Sequence, residues 1–213
     1  LYDGYLYYSS TTEVFRASLT DGELLPSGRE ESIVSDFPYR GPHASKPYPY
    51  DDAGHMYLTV GGPSNACQEQ MRTPGSPGLD PCPQLERAGG IWRFDARAAG
   101  QTQEDGTRDA TGIRNAVALD WNHDVDALYA VQHGRDSLSE LFPELYTQEQ
   151  RAEIPAEELF RVDDGDDFGW PYCYFDPVQQ RRVLAPEYGG DGEVVGRCAE
   201  TAPTLIGFPA HWA

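Results

Sequence analysis

A chain of 213 residues with 39% hydrophobic and 12% aromatic side chains has enough apolar surface to bury one ordinary domain, which excludes a disordered segment. Its net charge of −19 comes from 35 acidic against 16 basic residues, and Lys46 is the single lysine, so the clustered positive charge that nucleic acid requires is excluded. The 22 glycines and 17 prolines break the long runs into strands and loops, and the expected fold class is all-β. An acidic surface stays soluble through self-repulsion; it fits a secreted protein, and a halophilic one is the alternative. Four cysteines in so loop-rich a chain predict two disulfides, Cys67 with Cys82 across a Pro/Gly-rich loop and Cys173 with Cys198, in an oxidising compartment. Neither spacing is CxxC, which disfavours zinc, and no signal peptide or membrane span is visible.

In chain order, Leu1-Tyr2-Asp3-Gly4 opens inside a strand pattern, as though an upstream part were removed. A turn signal and a β-rich run follow at Gly4-Tyr5-Leu6-Tyr7-Tyr8, then Val14-Phe15-Arg16. The same phrases return as Gly54-His55-Met56-Tyr57-Leu58 with Ile91-Trp92-Arg93, and as Asp126-Ala127-Leu128-Tyr129-Ala130 with Leu159-Phe160-Arg161. Two long insertions, Gly61 to Gly90 and Gln132 to Glu158, separate the partners, and short helices are expected at Leu145 to Arg151 and around Ala156 to Leu159. A strand is expected from Ala116 to Trp121. The acidic run Asp163 to Asp167 lacks the calcium-loop spacing and reads as a solvated turn. Thr204 to Pro209 reads as a further blade that starts and stops. A two-strand unit recurring with loops of unequal length predicts a β-propeller, of which three or four blades cannot close a ring.

Four stretches in register carry a resemblance: His43-Ala44-Ser45-Lys46 leading into Tyr57-Leu58-Thr59-Val60-Gly61, then Gly112-Ile113-Arg114-Asn115, then Gln132-His133-Gly134-Arg135 followed by Glu140, then Asp167-Phe168-Gly169-Trp170-Pro171. The chain resembles the soluble glucose/sorbosone dehydrogenases, secreted six-bladed β-propellers that oxidise sugars with calcium-bound pyrroloquinoline quinone (PQQ). The ending Ala210-His211-Trp212 is similar to bacterial members. The resemblance implies that residues 1–213 are a partial propeller of about three to four blades, with N- and C-terminal blades missing.

It also implies roles. His43 would be the base that takes the hydroxyl proton, a task suited to a near-neutral pKa. Arg114, with Asn115, would bind PQQ and stabilise charge as hydride arrives. His133 would contact the cofactor; from the residues alone it also reads as a channel-lining histidine with a water partner. The carbonyls of Gly134 and Arg135 would hold calcium, a hard cation that prefers oxygen, although relatives commonly have proline where Arg135 stands. Glu140 and the Phe168 carbonyl would form a second, structural calcium site. Pro42 stands where some glucose-oxidising relatives place a substrate-contacting aspartate, so the sugar is open. The expected partners are a sugar substrate and an external electron acceptor, a quinone or a cytochrome. From the residues alone, His43 also reads as an idle loop histidine and Arg114 as an inter-blade ion pair. A calcium-dependent propeller lactonase and a non-catalytic carbohydrate- or protein-binding propeller are the rival functions.

Overall fold

The computed structural model describes residues 1–39 and 41–210, with the Pro42 side chain, His211 and Trp212 outside that description. Strands β1 (Tyr5–Ser9), β2 (Val14–Ser18) and β3 (Glu31–Ser35) form an antiparallel meander. A second sheet is built from β4 (His55–Val60), β5 (Gly90–Asp95) and, past the two-residue β6 (Gln101–Thr102), β7 (Thr107–Thr111). A third contains β8 (Ala116–Asn122), β9 (Ala127–Gln132) and β10 (Glu157–Val162). The chain continues through β11 (Asp166–Asp167), β12 (Cys173–Asp176), β13 (Arg181–Leu184) and β14 (Ile206–Phe208).

Each of the three sheets has four strands, in the orders β1-β2-β3-β6, β4-β5-β7-β11 and β8-β9-β10-β14, and β12-β13 is a separate hairpin. Two sheets are completed from outside themselves. β6 leaves the second sheet to pair parallel with β3, and β11 leaves the third to pair parallel with β7. Each latch fastens a sheet to its successor and covers an edge that would otherwise expose unpaired backbone.

Strand alternation explains how the sheets stack. Along β4, Met56, Leu58 and Val60 enter a core with Val14, Ile33, Val34, Trp92 and Phe94, while Tyr57 points the other way, into a core with Ile91, Ile113, Leu128 and Phe160. The second sheet therefore buries both faces, one against the first sheet and one against the third. A third cluster joins Leu138, Leu141, Tyr146, Ile154, Tyr174 and Val183 beneath the second long insertion. This is a mostly β, propeller-like stacking of sheets, and they do not close into a ring. Both expected disulfides are present, Cys67–Cys82 and Cys173–Cys198.

Several expectations change. The paired phrases do meet in one common register, Tyr7 opposite Arg16, Tyr57 opposite Arg93 and Tyr129 opposite Arg161. The third pair, however, occupies the two middle strands of its sheet, whereas the first two begin at a sheet edge, because β8 has been added outside it. Ala156 to Leu159 is not helical: β10 begins at Glu157, and its two buried acids have partners there, Glu157 on His133 and Glu158 on Gln132 at 2.9 Å, on Arg182 and on Thr204. Leu145 to Arg151 contains only the start of a 3-10 turn, Gln150–Ala152, and the helix lies earlier, at α1 (Leu138–Leu141). The tail starts no new blade; β14 completes the third sheet, with Phe208 opposite Glu157.

Candidate active site

Four loops bring the implied residues together. His43 ends a 3-10 turn, Gly41–His43, and lies against Gly61 and Gly62, which follow β4. A side chain at Gly61 would meet His43 Cβ and the His43 carbonyl at 2.8 Å, so this approach requires glycine. The His43 Nδ1–H donates to the Gly62 carbonyl at 2.6 Å. A carbonyl oxygen only accepts, so Nδ1 carries the proton and Nε2 keeps the lone pair. Burial, with the Arg114 guanidinium second, pushes the ring pKa below its ordinary value, while the Gly62 bond and Asp136 oppose the shift.

Gly62 continues the path: its N–H donates to the Arg114 carbonyl at 2.7 Å. Arg114 sits in the turn between β7 and β8, which Gly112 allows. Gly112 has φ 73°, and a Cβ there would lie 2.1 Å from Asp167 Oδ1 and 2.4 Å from the Gly169 nitrogen. The Arg114 guanidinium, 3% exposed, donates to the Gly134 carbonyl at 2.8 Å and to Asp136 Oδ2 at 2.7 Å. Burial pushes it down to about 10, with Asp136 opposing, so it is charged at neutral pH. Gly134 also has no room for a side chain, since a Cβ would stand 2.5 Å from the Ala156 carbonyl. The His133 N–H donates to the Asn115 carbonyl at 3.0 Å, and its ring Nδ1 contacts Glu157 at 2.5 Å. His43, Arg114, Asn115, His133 and Gly134 are thus connected through consecutive contacts.

The remaining residues stand apart from that path. The Arg135 guanidinium forms a buried ion pair with Glu187 and approaches the Asp136 carbonyl at 3.5 Å. Glu140 pairs with Arg151 at 2.5 Å and accepts from the Ser139 hydroxyl at 3.2 Å. The Phe168 ring is stacked on Phe160 at 3.8 Å inside the core between the second and third sheets. Among the described residues no hydrogen bond or ion pair joins Glu140 to Phe168. The half-buried His55 and the exposed His123 each bind a carboxylate, Asp51 at 2.7 Å and Asp52 at 2.8 Å. Of the acidic run, Asp163 to Gly165 is the expected turn, whereas Asp166 and Asp167 form β11.

Sequence reasoning passed over the residues that hold this arrangement in place. Asp136 Oδ2 also accepts from Arg72 at 2.6 Å; its N–H donates to Asn65 Oδ1 at 2.7 Å, and Asn65 Nδ2 returns a bond to the Asp136 carbonyl at 2.9 Å. The Trp170 indole N–H donates to the Asn65 carbonyl at 2.9 Å. Gln132 Oε1 accepts the Arg114 N–H at 3.0 Å. The signal available for Asp136 was its place directly after the Gln132 to Arg135 motif.

Among the described residues no group of three or more His, Cys, Asp and Glu side chains could hold a metal ion, and no helix is long and apolar enough to cross a membrane. No model of a known protein family matches the chain, and no curated protein matches it in sequence. Solved structures do match. Iodide and calcium structures of a Trichoderma reesei carbohydrate-active enzyme of family AA12 align over 98% of this chain and 53% and 54% of their own, with TM-scores of 0.73 and 0.72 and 15% identity. The holo form of the pyranose dehydrogenase PQQ domain from Coprinopsis cinerea aligns over 98% of this chain and 52% of its own, with TM-score 0.73 and 14% identity. The apo soluble aldose sugar dehydrogenase of Escherichia coli aligns over 93% and 49%, with TM-score 0.55 and 15% identity. The chain spans about half the length of each, and over that half it has the fold of these structures.

Proposed function

We propose that the chain is part of a secreted or periplasmic quinoprotein oxidoreductase, a six-bladed propeller of which it supplies three to four blades, that oxidises a sugar or sugar aldehyde. The observation that carries this reading is the contact path from His43 through Gly62 and Arg114 to Gly134, which puts a neutral imidazole and a buried guanidinium beside one another. The reading draws further support from the PQQ and sugar dehydrogenase structures whose fold the chain shares.

PQQ, when bound, supplies the quinone that accepts hydride. The protein contributes a base, charge and position. His43 takes the hydroxyl proton at Nε2, since Nδ1 is committed to Gly62. Arg114 would hold a cofactor oxygen: its Nε is buried with no hydrogen-bond partner, and an acceptor there completes the guanidinium. Asn115 and His133 flank that position through their shared backbone bond. Calcium would take the Gly134 and Arg135 carbonyls; Gly134 has given one lone pair to Arg114 and keeps another. A second calcium between Glu140 and the Phe168 carbonyl has no comparable support, because Glu140 is engaged by Arg151. The electron acceptor would be an external quinone or cytochrome.

The test is dye reduction with aldoses by the full-length protein loaded with PQQ and calcium. His43→Ala is expected to lose about 10²–10⁴-fold in kcat. Undiminished turnover removes His43 from the mechanism. Lactone hydrolysis without dye reduction would favour the hydrolase instead.

A further inference from the structure

A second site lies where the second sheet faces the third, on residues the reaction above does not use. A cavity of about 160 Å³ is lined by Tyr57, Arg93, Asp109, Trp121, Asp126 and Asp164, among others. Two buried polar atoms on its lining residues have no hydrogen-bond partner. One is an acceptor, Asp109 Oδ1, on a residue 4% exposed whose nearby cation, Arg93, stands off at 3.4 Å. The other is a donor, the Trp121 indole N–H. The Trp121 ring is stacked on Tyr57 with centroids 5.3 Å apart, and the Tyr57 hydroxyl is already given to Asp51 at 3.1 Å. Buried polar atoms of this kind are rare in native proteins, since each forfeits the hydrogen bond it had with water.

The charge around the cavity narrows what could satisfy them. Arg93 opposes a cation, and no cluster of acids among the described residues could hold a metal. Asp109, Asp126, Asp163 and Asp164 oppose an anion. A neutral ligand remains, one that both donates and accepts and carries C–H surface for an aromatic neighbour. The volume would hold about five waters at ~30 Å³ each, the room a short polyol or the end of a sugar ring needs. Burial pushes the Asp109 carboxyl up to about 6, consistent with a carboxylate short of partners.

We propose that the cleft between the second and third sheets binds vicinal hydroxyls, with one hydroxyl donating to Asp109 Oδ1 and a neighbouring oxygen accepting from the Trp121 indole N–H. The source is a short polyol or the terminal hydroxyls of a sugar.

Saturation-transfer NMR on the full-length protein tests this with glycerol and D-glucose as probes. Trp121→Phe keeps the ring and deletes only the N–H; Asp109→Ala deletes the acceptor. Saturable binding of one probe, weakened about tenfold or more by Trp121→Phe, is the expected result. The probe so affected identifies the source. Repeating the D-glucose titration in His43→Ala separates this cleft from the proposed reaction site, because sensitivity to Trp121→Phe must persist there. Absence of saturable binding by either probe, or equal binding in Trp121→Phe, overturns the proposal.

Discussion

At the scale of single residues, the state of His43 decides what the site can do. Its ring is buried and lies beside the Arg114 cation, and these two influences favour the neutral imidazole over the opposing effects of the Gly62 carbonyl and Asp136. A base works only in its neutral form, and lowering its pKa extends that form to more acidic solution. For the proposed oxidation by the full-length protein, the acid limb of kcat/KM against pH should therefore lie below the ~6.5 of an ordinary histidine. A limb at or above that value would refute the assignment. His43 and Arg114 were legible because motifs of the resemblance carried them. Asp136, Asn65 and Arg72 were not, since Asp136 meets Asn65 across 71 residues of chain and Arg72 across 64, and no local pattern announces such a pairing. Among 35 acidic residues, one more aspartate has no distinguishing mark.

At the scale of elements, local pattern succeeded where the chain turns tightly and failed where tertiary partners decide. The Tyr and Arg of each strand phrase do face each other, because turn signals and β-rich runs are local properties. Ala156 to Leu159 read as helix because its glutamates favour helix in isolation, yet burial beside Gln132, His133 and Arg182 holds them extended. Gly112 shows the opposite case, a position whose backbone leaves no choice. Its φ of 73° and the Asp167 and Gly169 atoms within 2.4 Å of a would-be Cβ tie the Arg114 turn to the β7–β11 latch. Gly112→Ala should destabilise the protein by about 1–3 kcal/mol, from the positive φ and the displaced backbone together. Because the same turn carries Arg114, PQQ affinity should fall as well. A chemical-denaturation midpoint unchanged from the parent would show that the turn can relax, and the latch would then not be what fixes Arg114.

For the whole molecule, the net charge of −19 sets how the sheets tolerate one another. The ion pairs of Arg114 with Asp136, Arg135 with Glu187 and Arg182 with Glu158 are buried, so salt reaches them weakly. Most of the other acids are exposed, where the Debye length falls from about 10 Å at 0.1 M to about 3 Å at 1 M. Salt therefore removes surface repulsion while leaving the buried pairs intact, and the folded state, which packs like charges closest, gains most. Tm should rise steeply with sodium chloride up to a few hundred millimolar and then level off. The plateau separates screening from a general salting-out effect, which would keep rising with concentration. A fall in Tm over the same range would mean that exposed pairs such as Arg161 with Asp163 and Arg197 with Asp80 outweigh the repulsion, and that the acidity is not what limits stability.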